Sequence, residues 1–395
     1  HVAYPAHAGR LPALGVEMAS HDEPLSARQR EHLKALHLGH LRVLLDLGEV
    51  DWEAKLRRAT DEAAALGLPL EAALRLTAGS EAQDLAAFAR HIGTLGAQVA
   101  QVIVLHSGDL ATDAHWVRLA REQLPGLRIG SGTDANFCEL NRARAALPEL
   151  AAAVDRLSFS ANPQVHAFDN ASLVETLMTF KAAAETLRVL AGDQPIGISP
   201  ITFKMRWNPY ATSAPKATPP DELPSQVDVR QMSLFGAAWT LGCISALVES
   251  QIDSATFYET TGWRGVMERD SGSPAVQPHF YSTPGMIYPL YHVLADVGEF
   301  AHGEASSLRS SQPLCAVGLL LGREKRTRLL LANLTPDEQT LAIPALAAAR
   351  IRLLDETTFA QAATDPATFR ASGAALAAGA TSVSLKAHGV AFNQA

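Results

Sequence analysis

Short apolar runs alternate with longer amphipathic stretches over the first three quarters of the chain. The runs cover residues 11–19, 40–47, 68–76, 98–106, 126–135, 156–164, 194–202 and 254–262. Each is continuous and rich in Val, Ile, Leu, Phe or Ala, as a strand reads when both faces of a parallel sheet are covered. Between them lie helical patterns with recognisable ends. Ser26-Ala27-Arg28-Gln29 opens the first as a capping box. Asp51 is expected to cap the second and Gly67 to end it. Residues 82–95 stop before Gly96, and 113–124 before Pro125-Gly126. Asn170 is expected to cap one long helix to Leu190, with Gly192 beyond it. Residues 226–249 and 288–300 supply two more.

Eight strands in alternation with about eight helices imply right-handed βαβ units closing as a (β/α)8 TIM barrel. The competing fold is an open doubly wound sheet, which the lack of GxGxxG after the first strand weakens for a dinucleotide enzyme. The pattern changes near Gln312. Residues 314–321, 327–334, 339–343, 349–355 and 382–392 read as strands, with period-2 alternation in Thr381-Ser382-Val383-Ser384-Leu385. The expectation is a barrel over residues 1–311 and a small C-terminal all-β, sandwich-like domain over 312–395. The Ala/Gly-rich residues 371–380 are expected to be a loop within it. A second loop, 208–226, carries prolines at 209, 215, 219, 220 and 224 and follows strand seven, where a long loop serves as a lid or substrate wall.

Composition narrows the class. Apolar residues make up 47% and charged residues 19% of 395, so a large core is available. The net charge of −8 comes without a Lys/Arg cluster, which argues against a nucleic-acid partner. No apolar stretch reaches bilayer length, and no signal peptide is visible at the start, so no membrane partner and a cytoplasmic location are expected. Cys138, Cys243 and Cys315 form no CxxC and are expected to be buried free thiols in a reducing compartment, with no nucleophile signature around any of them.

In such a barrel, reactive groups come from the C-terminal ends of the strands. Those ends carry Glu17 and His21, Arg42 and Asp46, Arg75, His106, Asp134 with Asn136, Glu139 and Asn141, Asn162 with His166, Lys204, Arg206 and Asn208, and Glu259 with Trp263 and Arg264. Buried charges are costly unless paired, so their concentration at one end implies a polar pocket. Single residues allow plainer readings: Arg42 and Asp46 as an internal ion pair, His166 as a structural histidine, Glu17 as a structural carboxylate. Despite 14 histidines, no metal motif stands on a strand end, and no cofactor is expected. Retaining glycosidases of this architecture place one Glu after strand four and another after strand seven. Here those places hold His106-Ser107 and Ser199-Pro200-Ile201-Thr202. The scaffold thus reads as glycoside-hydrolase-like with the usual pair replaced.

Several long strings carry a resemblance. They are Gly132-Thr133-Asp134-Ala135-Asn136-Phe137-Cys138-Glu139-Leu140-Asn141-Arg142, Asn162-Pro163-Gln164-Val165-His166-Ala167-Phe168-Asp169, Gln231-Met232-Ser233-Leu234-Phe235-Gly236-Ala237-Ala238-Trp239-Thr240 and Tyr258-Glu259-Thr260-Thr261-Gly262-Trp263-Arg264-Gly265. Together with Tyr288-Pro289-Leu290-Tyr291-His292-Val293-Leu294, they resemble the D-apionate lactonase family over nearly the whole chain. The resemblance implies hydrolysis of a sugar-acid lactone (D-apionolactone to D-apionate) in apiose breakdown. It also implies a further domain before the barrel, expected to lie outside this sequence.

Roles follow from what lactone opening needs: a base for water, donors for the oxyanion and an acid for the departing alkoxide. Glu259 is the expected base, with His166 as alternative. Asn162 and Arg264 are expected to stabilise the oxyanion, and Asp134 or Glu139 to act as acid if burial raises its pKa. Trp263, Glu17, Arg206 and Asn208 are expected to bind the substrate. Two other classes stay open. One is an atypical glycoside hydrolase using Glu259 with Glu139 or Asp134; the other is a non-catalytic carbohydrate-binding barrel.

Overall fold

The computed structural model describes residues 1–3, 9–211, 218–219, 222–273, 279–343, 349–376 and 379–394. Eight parallel strands close into a barrel: β1 (Ala13–Glu17), β2 (His40–Asp46), β3 (Leu70–Leu76), β4 (Val99–His106), β5 (Ile129–Thr133), β6 (Arg156–Ala161), β7 (Ile196–Ile201) and β8 (Ser254–Glu259). β8 pairs with both β7 and β1, which completes the ring. Their apolar side chains are almost entirely buried, the physical reason for continuous rather than alternating runs.

A helix follows every strand: α1 (Ala27–Lys34), α2 (Trp52–Leu66), α3 (Glu81–Leu95), α4 (Ala114–Gln123), α5 (Cys138–Arg142) with α6 (Leu147–Ala153), α7 (Asn170–Glu175) with α8 (Thr179–Ala191), α9 (Leu234–Glu249) and α10 (Pro289–Gly298). The Ser26 capping box forms in full, with the Gln29 amide donating to Ser26 Oγ at 3.2 Å and the Ser26 amide to Gln29 Oε1 at 2.9 Å. Gly67 ends α2 in the left-handed conformation.

Other expected ends differ. Asp51 makes no side-chain cap bond. The cap of α7 is Asp169 rather than Asn170, because Asp169 accepts the Ser172 amide at 3.0 Å. The long helix expected from 170 to 190 is broken by a 3-10 turn at Thr176–Met178. Within the expected helix 226–249, residues Val229–Met232 form a separate 3-10 turn.

The C-terminal strands are β9 (Glu304–Ser307), β10 (Ala316–Arg323), β11 (Arg326–Asn333), β12 (Gln339–Ala342), β13 (Ala349–Leu354), β14 (Ala374–Leu376), β15 (Ser382–Leu385) and β16 (Val390–Gln394). Seven strands make one sheet in the order β14-β13-β16-β11-β10-β9 and then Gly9–Arg10, while β12 and β15 form a separate pair. The single run expected over 382–392 is thus two strands in different sheets. The stretch expected to be a loop holds the end of a helix (Pro366–Ala371) and then β14, paired with β13; residues 377–378 of that stretch lie outside the described residues. Of the expected Pro-rich loop, residues 212–217 and 220–221, with Pro215 and Pro220, also lie outside them.

α9 joins the two parts. It is apolar on every side because it is covered on every side, as a helix between two packed layers must be. Ser245 Oγ on α9 bonds the Gly318 carbonyl of β10 at 3.1 Å and Ser307 Oγ of β9 at 2.8 Å. A second weld lies on α10. Asp296, fully buried, accepts from Arg328, Arg352 and Arg370 of the C-terminal part, each at 2.6 Å.

Candidate active site at the barrel mouth

The C-terminal ends of the strands carry a continuous chain of charge pairs. Glu17 ends β1 and is bonded by Arg42 of β2. Arg42 also reaches Asp134 at 3.5 Å. Asp134 follows β5 and is bonded by Arg75 of β3 at 2.7 Å and by Arg206, on the loop after β7. Arg75 lies 3.4 Å from Asp46 at the end of β2. The expected Arg42–Asp46 pair is therefore not made; each has a different partner, because adjacent strands present these side chains across the mouth rather than along it.

Glu259 ends β8 opposite Glu17, its register partner on β1. Tyr258, just before it, adopts a left-handed φ of 51°, a conformation costing a non-glycine residue about 1–3 kcal/mol. The chain then turns back, and the Glu259 amide donates to the Arg264 carbonyl at 2.9 Å. The turn brings the Arg264 guanidinium to 2.8 Å from Glu259 Oε1. On the other side, the Ser20 amide and hydroxyl donate to Glu259 Oε2 at 3.0 and 3.1 Å. Glu259 and Arg264 share a narrow crevice with Arg206, Lys204, Thr202 and Gln231.

The two central carboxyls sit in opposite electrostatic states. Burial pushes the Glu259 carboxyl above its usual range; Arg264 only partly offsets this, and the nearby Glu17 charge adds to it. Burial would do the same to Asp134, but Arg206, Arg42 and Arg75 outweigh it and hold that carboxyl below its usual range. The condition for Asp134 to act as an acid is thus not met. It is a fixed anion that gathers three guanidiniums.

The other expected site residues separate. Asn162 donates to Asn136 at 3.0 Å and lines a recess with Asp134, Arg206 and Trp207. Glu139 is buried under Arg142 and Tyr210, accepting at 2.5 and 2.6 Å, and lies off the crevice. His166 is exposed and makes no hydrogen bond or ion pair with the other described residues; Asn208 is exposed and accepts the Tyr210 amide at 3.0 Å, shaping its own turn. Trp263 packs against the apolar core. Sequence reasoning gave no role to Ser20, because its partner lies 239 residues away with no local pattern to betray it. It also passed over Trp207, although that ring stands between Arg206 and Asn208. Its indole N–H donates to the Asp134 carbonyl at 3.1 Å. Of the cysteines, all free, Cys243 is buried, Cys315 half-buried and Cys138 exposed, so burial holds for one of the three.

Among the described residues, no group of three or more His, Cys, Asp or Glu side chains is arranged to hold a metal ion, and no helix is long and apolar enough to cross a membrane.

Solved structures with the same architecture include glycoside hydrolases. A family 30 endoxylanase from Clostridium papyrosolvens matches with a TM-score of 0.65 at 11% identity, covering 100% of this chain and 99% of the other. A family 51 α-L-arabinofuranosidase from Bifidobacterium longum matches at 0.63 and 12%, covering 100% and 98%. The class is therefore a glycoside-hydrolase-like (β/α)8 barrel with a C-terminal β domain, in which β4 ends at His106 and β7 at Ile201 without the usual glutamates.

Within that class, the chain belongs to the D-apionate lactonase family. Residues 14–302 match the D-apionate lactonase TIM barrel domain, and residues 313–392 its C-terminal immunoglobulin-like domain. A D-apionate lactonase of Brucella anthropi is 28% identical over 225 residues. That match covers 57% of this chain and 34% of the relative, so the chain spans about a third of the relative's length.

Proposed function

We propose that this protein is a hydrolase that opens a sugar-acid lactone at the crevice holding Glu259, with D-apionolactone as the substrate the family points to. The observation that carries the reading is the pairing of a carboxyl raised by burial with Arg264 and Arg206 in the same crevice. A carboxyl raised in this way suits service first as base and then as acid. In its ionised form Glu259 takes a proton from water, and the resulting hydroxide adds to the lactone carbonyl. The oxyanion that forms is stabilised by the Arg264 and Arg206 guanidiniums. The ring C–O bond then breaks, and the proton on Glu259 passes to the departing alkoxide. Ester becomes carboxylic acid and alcohol, and Glu259 returns to its starting state.

Ser20 holds Glu259 in place, and Asp134 orients Arg206. Asp134 is committed to three guanidiniums and Glu139 to Arg142 and Tyr210, so neither supports Glu259 as a glycosidase partner. His166, exposed and away from the crevice, is not favoured as base.

The test is acid release by the purified protein from a panel of aldonolactones that includes D-apionolactone, with and without chelator. The reading expects saturable proton release from at least one five-carbon lactone. Release from a chromogenic xyloside with no lactone opening would overturn it.

A further inference from the structure

A second cavity, of 360 Å³, opens over the ends of β2 to β5. That volume falls within the range of ~300–1,000 Å³ usual for small-molecule sites. Neither Glu259 nor Arg264 lines it. Its floor is built rigidly. The His106 ring stacks on Trp116 at 4.4 Å with planes 10° apart, and its two nitrogens face Glu81 at 3.1 Å and Asp109 at 3.2 Å. Asp109 is also held by the Trp116 indole N–H at 3.0 Å. Asp46 is held by the Gly48 amide at 3.2 Å and by Arg75. The wall toward Arg206 is Trp207, with the Arg75 guanidinium 5.4 Å from its ring centroid. Trp207 keeps 37% of its surface exposed, a high value for a ring fixed at both its edge and its face.

The open polar groups decide the ligand. Asp46 and Asp109 keep 28% and 32% of their side-chain surface exposed, and Arg75 keeps 24%. Asp134 is already matched by Arg206 and Arg42 besides Arg75. A carboxylate or phosphate entering here would meet two exposed carboxylates and one shared guanidinium, an unfavourable balance. Hydroxyl groups suit it: ionised carboxylates only accept, and accept strongly from O–H donors. An apolar ring wall beside such acceptors fits the C–H face of a sugar.

We propose that this cavity is a binding subsite for a neutral sugar ring, separate from the ring opened at Glu259. The proposal rests on the cavity and not on the lactone reading.

The test is titration calorimetry on the intact protein with D-xylose, xylitol and D-xylonate as probes. Saturable D-xylose binding in the millimolar range is expected, with xylitol weaker and D-xylonate weakest. Trp207→Ala and Asp109→Asn should each weaken D-xylose binding about tenfold or more, while Trp207→Phe restores most of it. Glu259→Gln should bind D-xylose as the wild type does, even where lactone opening is lost. Tighter binding of D-xylonate than D-xylose, unchanged binding in Trp207→Ala, loss of binding in Glu259→Gln, or no saturable binding of any neutral probe would each overturn the proposal. Failure of lactone hydrolysis with D-xylose binding intact would fault the proposed reaction and leave the subsite standing.

Discussion

The barrel holds two clusters of buried charge, one at each end, and they are built to opposite rules. At the N-terminal end, Glu71 of β3 is bonded by Arg156 of β6, by the Ser199 hydroxyl of β7 and, at 3.4 Å, by Thr256 of β8. His40 of β2 lies 2.7 Å from Thr256. The cluster fits only because glycines stand beside it. A Cβ on Gly15 would come to 2.2 Å from the His40 ring, and one on Gly197 to 2.8 Å from Arg156. Burial would raise the Glu71 carboxyl, but Arg156, His40 and Ser199 hold it well below the carboxylate range. Here the paired charges outweigh burial. At the mouth, four carboxylates meet four arginines, yet Glu259 is left with a raised pKa beside partly open guanidiniums. The same residue types hold a carboxyl below its usual range at one end and leave one above its usual range at the other.

That contrast can be broken by mutation. The largest effect is expected at the N-terminal end. Arg156→Leu leaves Glu71 buried and uncompensated, and should cost about 3–5 kcal/mol in denaturant unfolding, with turnover per folded molecule unchanged. The double variant Arg156→Leu/Glu71→Leu should recover much of that loss. A single Arg156→Leu that unfolds at the wild-type midpoint would dissolve the distinction.

At the mouth the order reverses. Glu259→Gln should lower lactone turnover at least ~100-fold while the fold stays intact by thermal melt. Near-wild-type hydrolysis by this variant would remove Glu259 from the chemistry.

The raised and the lowered carboxyls should also answer differently to pH. A carboxyl raised on folding, as in Glu259, gives stability that is present below its unfolded pKa and lost as pH rises through the folded one. One lowered on folding, as in Glu71 and Asp134, gives stability present above the unfolded pKa and lost as pH falls through the folded value. Unfolding curves between pH 4 and 8 should therefore show Glu259→Gln gaining on wild type toward neutral pH. Arg264→Ala removes a charge that lowers the Glu259 pKa, so the acid limb of kcat/KM should move to higher pH; a limb that stays or falls would count against Glu259 as the titrating base.

The smallest effect is at a surface cap. Ser26→Ala removes the hydroxyl that accepts the Gln29 amide, leaves the backbone bond to Gln29 Oε1 in place, and should cost about 1 kcal/mol without touching activity.

The barrel was legible because its signals are local. Strand runs, Gly67 and the Ser26 box each declare themselves within a few residues. The C-terminal part was read less well where one run, 382–392, crosses between sheets, and where a short edge strand, Ala374–Leu376, is imposed by pairing with β13 rather than by its own Ala-rich sequence. At the mouth, position on a strand end was enough to place Glu259, Arg264, Arg206 and Asp134 together there. It could not tell which groups would meet, since Ser20 and Glu259, or Arg75 and Asp134, are joined only by closure of the ring. His166 and Asn208 misled because a polar residue after a strand can as easily face solvent as the mouth.

The fully covered helix α9 sets a limit on how the molecule can be divided. One side lies on the barrel and another on β9 and β10, so a protein cut near residue 312 would leave an apolar strip along sixteen residues facing water. Such a fragment would self-associate rather than fold cleanly. Chimeras that exchange C-terminal domains between relatives would need α9 to travel with its β partner, so the natural crossover point lies inside the barrel, before Leu234, and not at the visible seam.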